Sequence, residues 1–457
     1  MIGAQTIGNA TLVAYDHKPI LSTDPWLGSN DFAYFGSWCL SYEIPEKIKK
    51  DIFNSEYIFF SHGHPDHLNP DSLHNFKNNK IIIGDHLGKR IYNDLINQGF
   101  KVKILKEKVW TELSKNISVM SLSTKIQDTI LLIKINNDLF INLNDAGPSY
   151  VKLIKKISKN FKRRFLLSIS GWGDADMINF YDQNDNFIEP LAANKHPVGD
   201  YLSILGKSLN ANYVIPFSSF HEYQREDSIW TNKYVTPLDE YKNGFHKDLN
   251  YLEPFTFVNS EREDDFYNTK IQKKNIDVKK PEVFNDNWSD LLEKNDIKII
   301  TDYFNKFNEL KEKIGFINLR IGKKDHNLKF EGPKNKGLSF ELPRNSLVTA
   351  CEFNVFDDLL IGNFMKTKLF GLQNLYDPYF NFNEIICKIG DNGLAYSKEE
   401  IREYEKEYAK RLGMEYFYDL FASKSKNYFK FLFKNYADSK YYTKFRKFYY
   451  YLFKYSK

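Results

Sequence analysis

Ser61-His62-Gly63-His64-Pro65-Asp66-His67-Leu68 follows the apolar run Tyr57-Ile58-Phe59-Phe60. Three of the ten histidines of the chain fall in this stretch, with a carboxylate among them. Neutral imidazoles are good ligands for zinc or iron, and a carboxylate adds charge to such a site. On a strand-to-helix turn, the H-x-H-x-D-H spacing lets His62 and His64 point to one side. Asp66 and His67 are then free to serve an adjacent metal. Pro65 stiffens the turn, and Asn69-Pro70-Asp71 reads as the entry to the next helix.

The rest of the chain bounds the setting. It has 457 residues, 42% hydrophobic and 27% charged, enough for a sizeable core and a prior of two or three domains. This composition excludes collagen, low-complexity disorder and a small disulfide scaffold. No run of about 18 apolar residues predicts a membrane span, and no signal peptide is read at Met1–Thr6. Cys39, Cys351 and Cys387 lie far apart, form no metal-type pair and point to a reducing cytoplasm. The formal charge is +5, but Leu420–Lys457 alone carries +9 and the remainder −4. Basic character is local, so no nucleic-acid partner is expected.

Up to about residue 260, short apolar runs alternate with helical patterns. Strands are expected at Thr11–Tyr15, Ile20–Thr23, Tyr57–Ser61, Lys80–Gly84, Ile117–Ser121, Thr129–Ile135, Leu139–Asn142, Arg164–Ser168 and Tyr213–Pro216. Helices are expected at Asp71–Lys77, Gly88–Gln98, Tyr150–Lys159 and Pro197–Leu209. This alternation predicts a layered α/β domain over 1–260. A polar linker is expected over 261–287. A small α+β domain is expected over 288–398, with helices at Trp288–Leu310, Ser346–Phe356 and Asp357–Leu369 and strands at Phe316–Ile321, Leu328–Phe330 and Leu338–Leu342. A basic aromatic helical tail is expected over 399–457; its Leu420–Lys457 part has fifteen Phe and Tyr. Its leading reading is a helix docked on the second domain. A weak membrane-surface contact is the second reading and base stacking a third.

The histidine motif, on its strand-to-helix turn, resembles the metallo-β-lactamase superfamily. The resemblance implies an αββα sandwich with metals at one edge of two sheets. In Phe140-Ile141-Asn142-Leu143-Asn144-Asp145-Ala146, it also implies that Asp145 bridges two metals. The segments Thr23–Leu27 with Trp38, Ser61–Leu68, Phe140–Asp145, Val214–Phe217 and Glu352–Gly362 with Phe364–Phe370 resemble, in preserved order, the CMP-N-acetylneuraminate hydroxylase family outside its Rieske domain. The implied activity is oxygenation of a sugar or nucleotide-sugar at one or two metal ions, iron or zinc. Two departures follow. No cysteine pair here would hold an Fe–S cluster, so a separate electron-transfer protein would be needed. Thr124 stands where the superfamily often has a histidine, which weakens the first metal position.

The metal ligands are therefore expected to be His62, His64, Asp66, His67, Asp145 and, after a late strand, His221. Asp66 and His64 are the expected catalytic residues. Trp172 and Asp174, in Ser170-Gly171-Trp172-Gly173-Asp174, and Arg225 are the expected substrate contacts. His86 is read as a helix-entry residue, and Asp24-Pro25-Trp26 as packing. Two other readings stay open. One is a hydrolase that uses metal-activated water on a phosphoester, lactone or amide. The other is a non-catalytic binding protein with a degenerate site.

Overall fold

The computed structural model describes residues 1–27, 32–169, 177–194, 196–377 and 380–416. The basic aromatic segment after residue 416, and Trp172 and Asp174, lie outside the described residues.

Two sheets form the body. The first runs Phe266–Asn268, Thr256–Asn259, Ile2–Ile7, Thr11–Asp16, Lys18–Thr23, Tyr57–Phe60, Lys80–Ile83 and Lys101–Ile104, in that spatial order. The second runs Asn250–Tyr251, Tyr213–Pro216, Arg163–Ser168, Asp138–Asn144, Thr129–Ile135, Ile117–Ser123 and Thr111–Glu112. Their facing sides interdigitate. Ala4, Leu12, Leu21, Phe59 and Ile82 from the first share one buried cluster with Leu131, Ile133, Phe140, Phe165 and Ile215 from the second. Phe165 stacks between Phe140 and Tyr213, at 4.7 and 4.8 Å.

The strands alternate, so each sheet has a second apolar face that must also be covered. On the second sheet, Leu122, Leu132, Ile141 and Leu166 pack under Ile154 of helix Val151–Ser158 and Leu202 and Leu205 of helix Val198–Ser208. On the first, Ile58, Phe60, Ile81 and Ile83 pack under Ile48 and Ile52 of helix Glu46–Phe53, Phe76, and Leu95 of helix Arg90–Asn97. The layers are helix, sheet, sheet, helix, the αββα order expected.

That last cluster continues without a break into a third sheet: Phe180–Tyr181, Lys366–Phe370, Gly337–Glu341, Phe316–Ile321 and Lys324–Lys329. Helices Lys294–Asn305, Arg344–Phe353 and Phe356–Gly362 accompany it. Three details differ from the expectations. The helix expected over 357–369 stops at Gly362, because Asn363 takes a left-handed φ of 56°, and the chain resumes as a strand. The helix expected from Trp288 begins at Lys294, while Trp288 donates its indole N–H to Asp227 (2.8 Å). The expected linker holds Phe266–Asn268, an edge strand of the first sheet. Among the described residues, no helix is long and apolar enough to cross a membrane.

The join between the body and this third sheet is polar and buried. Arg90 donates to the carbonyls of Asn354 (2.6 Å) and Asp391 (3.1 Å). Asp391 Oδ2 accepts from Tyr303 Oη (2.8 Å) and from the backbone N–H of Phe356 (3.2 Å). Burial, then the charge of Asp357, push the Asp391 carboxyl up to about 8, against those two hydrogen bonds.

Two outcomes test this architecture. Phe165→Ala should cost about 3–5 kcal/mol in urea unfolding, since the void between two packed sheets cannot collapse. Asp391 holds a proton in the folded chain that the unfolded chain releases above about pH 4. Its contribution is therefore present at low pH and is lost as pH rises towards about 8. Asp391→Asn does not titrate, so its stability relative to wild type should rise between about pH 5 and 8. The gain should be at most about 1.4 kcal/mol per pH unit, read from urea melts at several pH values.

Candidate metal centre

Strands Lys18–Thr23, Tyr57–Phe60 and Lys80–Ile83 run parallel in the first sheet, and Asp138–Asn144, Arg163–Ser168 and Tyr213–Pro216 run parallel in the second. Their carboxyl ends meet at one edge of the sandwich. Asp24, the Ser61–His67 turn, Asp145 and Ser218 each lie just past such an end, the usual place for a site in layered α/β proteins. The turn Gly8–Ala10 and the loop Thr124–Asp128 reach the same edge from antiparallel neighbours.

Three groups of His and Asp side chains converge there, each with ligand atoms within 4.8 Å of one another. His62, His64 and Asp145 form one, and Asp66, His67 and Asp145 a second. Asp145 belongs to both. His62 Nε2 and His64 Nδ1 are 2.9 Å apart. His67 is fully buried, and its Nε2 has no hydrogen-bond partner. It faces Asp66 Oδ2 and Asp145 Oδ2, each at 3.4 Å. A buried imidazole nitrogen aimed between two carboxylates fits a cation held between them, so the residues present suit a metal. Asp145 keeps 23% of its side chain exposed and is the open side of the centre.

The ligand residues are themselves held. Asp24 Oδ2 lies 3.3 Å from His67 Nδ1, while Asp24 Oδ1 accepts from the Ser61 N–H (2.7 Å). Ser61 Oγ meets His62 Nδ1 at 2.9 Å. Asp66 Oδ1 accepts from Tyr34 Oη (2.5 Å) and its Oδ2 from Asn9 Nδ2 (3.0 Å). Asp145 Oδ1 accepts from Ser218 Oγ (2.9 Å). Left-handed backbone at Asp24, Tyr34, Asn144, Ser218 and Ser219 (φ 39°, 53°, 48°, 59° and 91°) gathers at this one edge. Strain of that kind persists where surrounding structure over-determines it.

Burial acts to lower the His67 pKa, but the charges of Asp66, Asp145 and Asp24 outweigh it and raise the ring well above its usual value. For Asp145 the opposite balance holds: burial is overcome by His67, His64 and the Ser218 hydroxyl, which bring it to about 2. Burial raises Asp66, and it lowers His62 together with the charges of His67 and His64.

The other expected residues fall elsewhere. Thr124 carries no ligand; its N–H and Oγ1 both bond the Asp128 carbonyl, at 2.9 Å each. That closed turn brings Asp128 Oδ1 to 4.0 Å from His62 Nδ1, with its carboxyl raised to about 6 by burial. His221 stacks flat on Trp38 (3.3 Å, 5°), which in turn packs edge-on to Tyr34. It belongs to none of the three convergent groups among the described residues. Arg225 is a correction. Its guanidinium is fully buried and binds Asp227, Asp286 (2.8 Å) and the Phe35 carbonyl (2.8 Å), with Phe364 stacked at 3.9 Å, so it has no face for a substrate. His86 bonds Thr129 Oγ1 (2.7 Å) and Tyr408 Oη (3.0 Å). Trp172 and Asp174 lie outside the described residues.

This helix–sheet–sheet–helix body, with its histidine turn at the strand ends, has the layer order that the resemblance to the metallo-β-lactamase fold implies. No protein-family profile matches the chain. The sequence is 22% identical, over 213 residues, to cytidine monophosphate-N-acetylneuraminic acid hydroxylase of Xenopus laevis; the match covers 43% of this chain and 34% of that protein. It thus spans about a third of the relative's length. Among solved structures, the novel metallo hydrolase Igni18 of Ignicoccus hospitalis matches with a TM-score of 0.36 and 13% identity, over 59% of this chain and 99% of that one. CmlA, a diiron beta-hydroxylase of Streptomyces venezuelae, matches with a TM-score of 0.31 and 12% identity, over 48% and 44%. The metallo-beta-lactamase fold protein YhfI of Bacillus subtilis gives 0.31 and 12%, over 55% and 90%.

Sequence reading passed over Asn9, Tyr34, Asp128, Ser218, Asp357 and Lys388, and took Asp24 as packing. Asp24 and Asp357 lie in segments quoted for the resemblance, Thr23–Leu27 and Glu352–Gly362, but their roles, like those of the others, appear only through the fold. Replacing Asp24 with Ala leaves His67 Nδ1 without its carboxylate. Zinc affinity, measured by competition with a chromophoric chelator, should then fall about 10–100-fold with the melting curve still cooperative.

Proposed function

We propose that this chain is a metal-dependent enzyme whose centre has two adjacent positions sharing Asp145, and that it hydroxylates a sugar or nucleotide-sugar. The observation that carries the metal reading is the buried His67 Nε2 aimed between the Asp66 and Asp145 carboxylates, 3.4 Å from each. His62 Nε2, His64 Nδ1 and Asp145 would hold one ion, and Asp66, His67 and Asp145 the other. Mixed imidazole and carboxylate ligation suits iron, which when bound supplies oxygen activation. The sequence match to a sugar-nucleotide hydroxylase supports that choice of reaction. A separate electron-transfer protein is the proposed source of electrons, and Cys39, Cys351 and Cys387 of this chain are free.

The chain's own part is binding, orientation and proton handling. Tyr34 and Asn9 pin both oxygens of Asp66, and Ser218 pins Asp145, so the carboxylates stay in place without a cation between them. Asp128 stands beside His62, with its Oδ1 4.0 Å from Nδ1, placed to take up or return a proton. Trp172 and Asp174 are kept as proposed substrate contacts. Ile169, the last described residue before them, bonds the Asn144 carbonyl through its N–H (3.2 Å) beside Asp145. Asp128 also favours a second reading, hydrolysis, in which the same carboxylate accepts the proton of an attacking water.

Protein produced in medium supplied with both iron and zinc should carry iron at up to about two per chain, by elemental analysis, and Asp145→Ala should bring the total below about one. Zinc instead of iron would support the hydrolase, tested next on phosphodiester and lactone substrates. Absence of stoichiometric metal would overturn both readings.

A further inference from the structure

His64 has a ligand nitrogen and a far nitrogen, and the far one leads out of the sandwich. Its Nε2 lies 3.0 Å from Asp357 Oδ2 and 2.9 Å from Lys388 Nζ. Lys388 and Asp357 are themselves 3.3 Å apart. Both come from the region around the third sheet. Asp357 is in the first turn of helix Phe356–Gly362, and Lys388 sits in the π-helical segment Asn383–Asn392. Such segments are rare and recur at functional sites. Both side chains are buried.

A neutral imidazole carries one proton, so its two nitrogens cannot act alike. If Nε2 keeps a lone pair, it accepts from the Lys388 ammonium, the proton sits on Nδ1, and Nδ1 cannot ligate. If Nε2 carries the proton, it donates to Asp357, and Nδ1 presents its lone pair beside His62 Nε2 and Asp145. Asp357 and Lys388 therefore compete for one nitrogen and favour opposite tautomers.

We propose that Asp357 is the positioning residue that sets His64 in its ligating tautomer and orientation, and that Lys388 opposes it at the same nitrogen. The inference rests on the metal-dependent reading above. It also accounts for the third convergent group, His64, Asp357 and Asp358. An ammonium already stands on that group, within 2.9 and 3.3 Å of two of its members, which disfavours a further cation there. The helix bearing Asp357 is itself tied down. Its first N–H bonds Asp391, and Arg90, from the helix that follows the strand after the histidine turn, holds the Asn354 and Asp391 carbonyls. Asp357 thus reaches His64 along a fixed, buried route.

Cobalt(II) titration of the whole chain, followed by its visible ligand-field bands and by chelator competition, tests this. Asp357→Asn should weaken one cobalt position by about 10–100-fold and alter its bands, while Lys388→Met binds at least as tightly as wild type. Asp357→Glu, which keeps the charge, should recover part of the loss. If Asp357→Asn fails to fold, Asp357→Asn/Lys388→Met removes both buried charges and should still show the weakened position. Equal affinity of Asp357→Asn and wild type, or an equal loss in Asp357→Asn and Lys388→Met, would overturn the inference and leave a mere interdomain ion pair. A wild type that takes up no cobalt would overturn it together with the metal-dependent reading.

Discussion

The His67 imidazole, fully buried among Asp24, Asp66 and Asp145, is the interaction on which the rest of the structure depends. Ionised carboxylates in so dry a place cost several kcal/mol each unless they are paired and hydrogen-bonded. The chain meets that cost in a specific way. Each carboxylate takes donors from another part of the chain: Ser61 for Asp24, Tyr34 and Asn9 for Asp66, Ser218 for Asp145. Ser61 and Ser218 reach the centre because both sheets end parallel strands at the same edge, and Asn9 and Tyr34 reach it from turns that meet that edge. The apolar cluster between the sheets is therefore also a positioning device: it holds the two sets of strand ends at ligand distance.

The electrostatics of the centre follow from the same arrangement. Charges that would repel across the Asp66–Asp145 pair are reconciled by the imidazole between them, so His67 is pushed up and Asp145 down. A cation bound there would take over that reconciling role and displace a proton from His67. The left-handed backbone at Asp24, Asn144, Ser218 and Ser219 belongs to the same bargain. Local conformational strain is accepted where it turns a polar group into the centre, and the surrounding sheets supply the stability to sustain it.

The third sheet is joined to this edge by buried polar contacts and by one continuous apolar cluster. Arg90, Asp391 and Tyr303 fix the start of helix Phe356–Gly362, and that helix carries Asp357 to His64. The Thr124–Asp128 loop is clamped from another side: Gln127 donates to Tyr404 and Tyr408 of helix Lys398–Leu412, at 2.6 and 3.2 Å. The region after residue 288 is thus connected to the site at two points and is more than an appendage.

Much of this was legible in the chain. Short apolar runs mark many strands of the sandwich, because a strand covered on both faces reads as a nearly continuous apolar stretch. The histidine turn announces a ligand cluster, because several imidazoles and a carboxylate on one short turn have few other uses. Asp145 was legible only together with that turn. The failures share one cause. Arg225 reads as a substrate contact from its charge, yet it is buried against Asp227 and Asp286; Asp24 reads as packing, yet it holds His67. The sequence by itself determined many of the strands and the residues that could ligate, since side-chain pattern and chemistry are local properties, and the layer order came with the family resemblance. Only the tertiary structure decided which carboxylate faces which imidazole nitrogen, and that Asp357 and Lys388, some 300 residues from His64 along the chain, meet it in space. Hydrogen bonds and charge pairs act over a few ångströms, and separation along the chain carries no record of them.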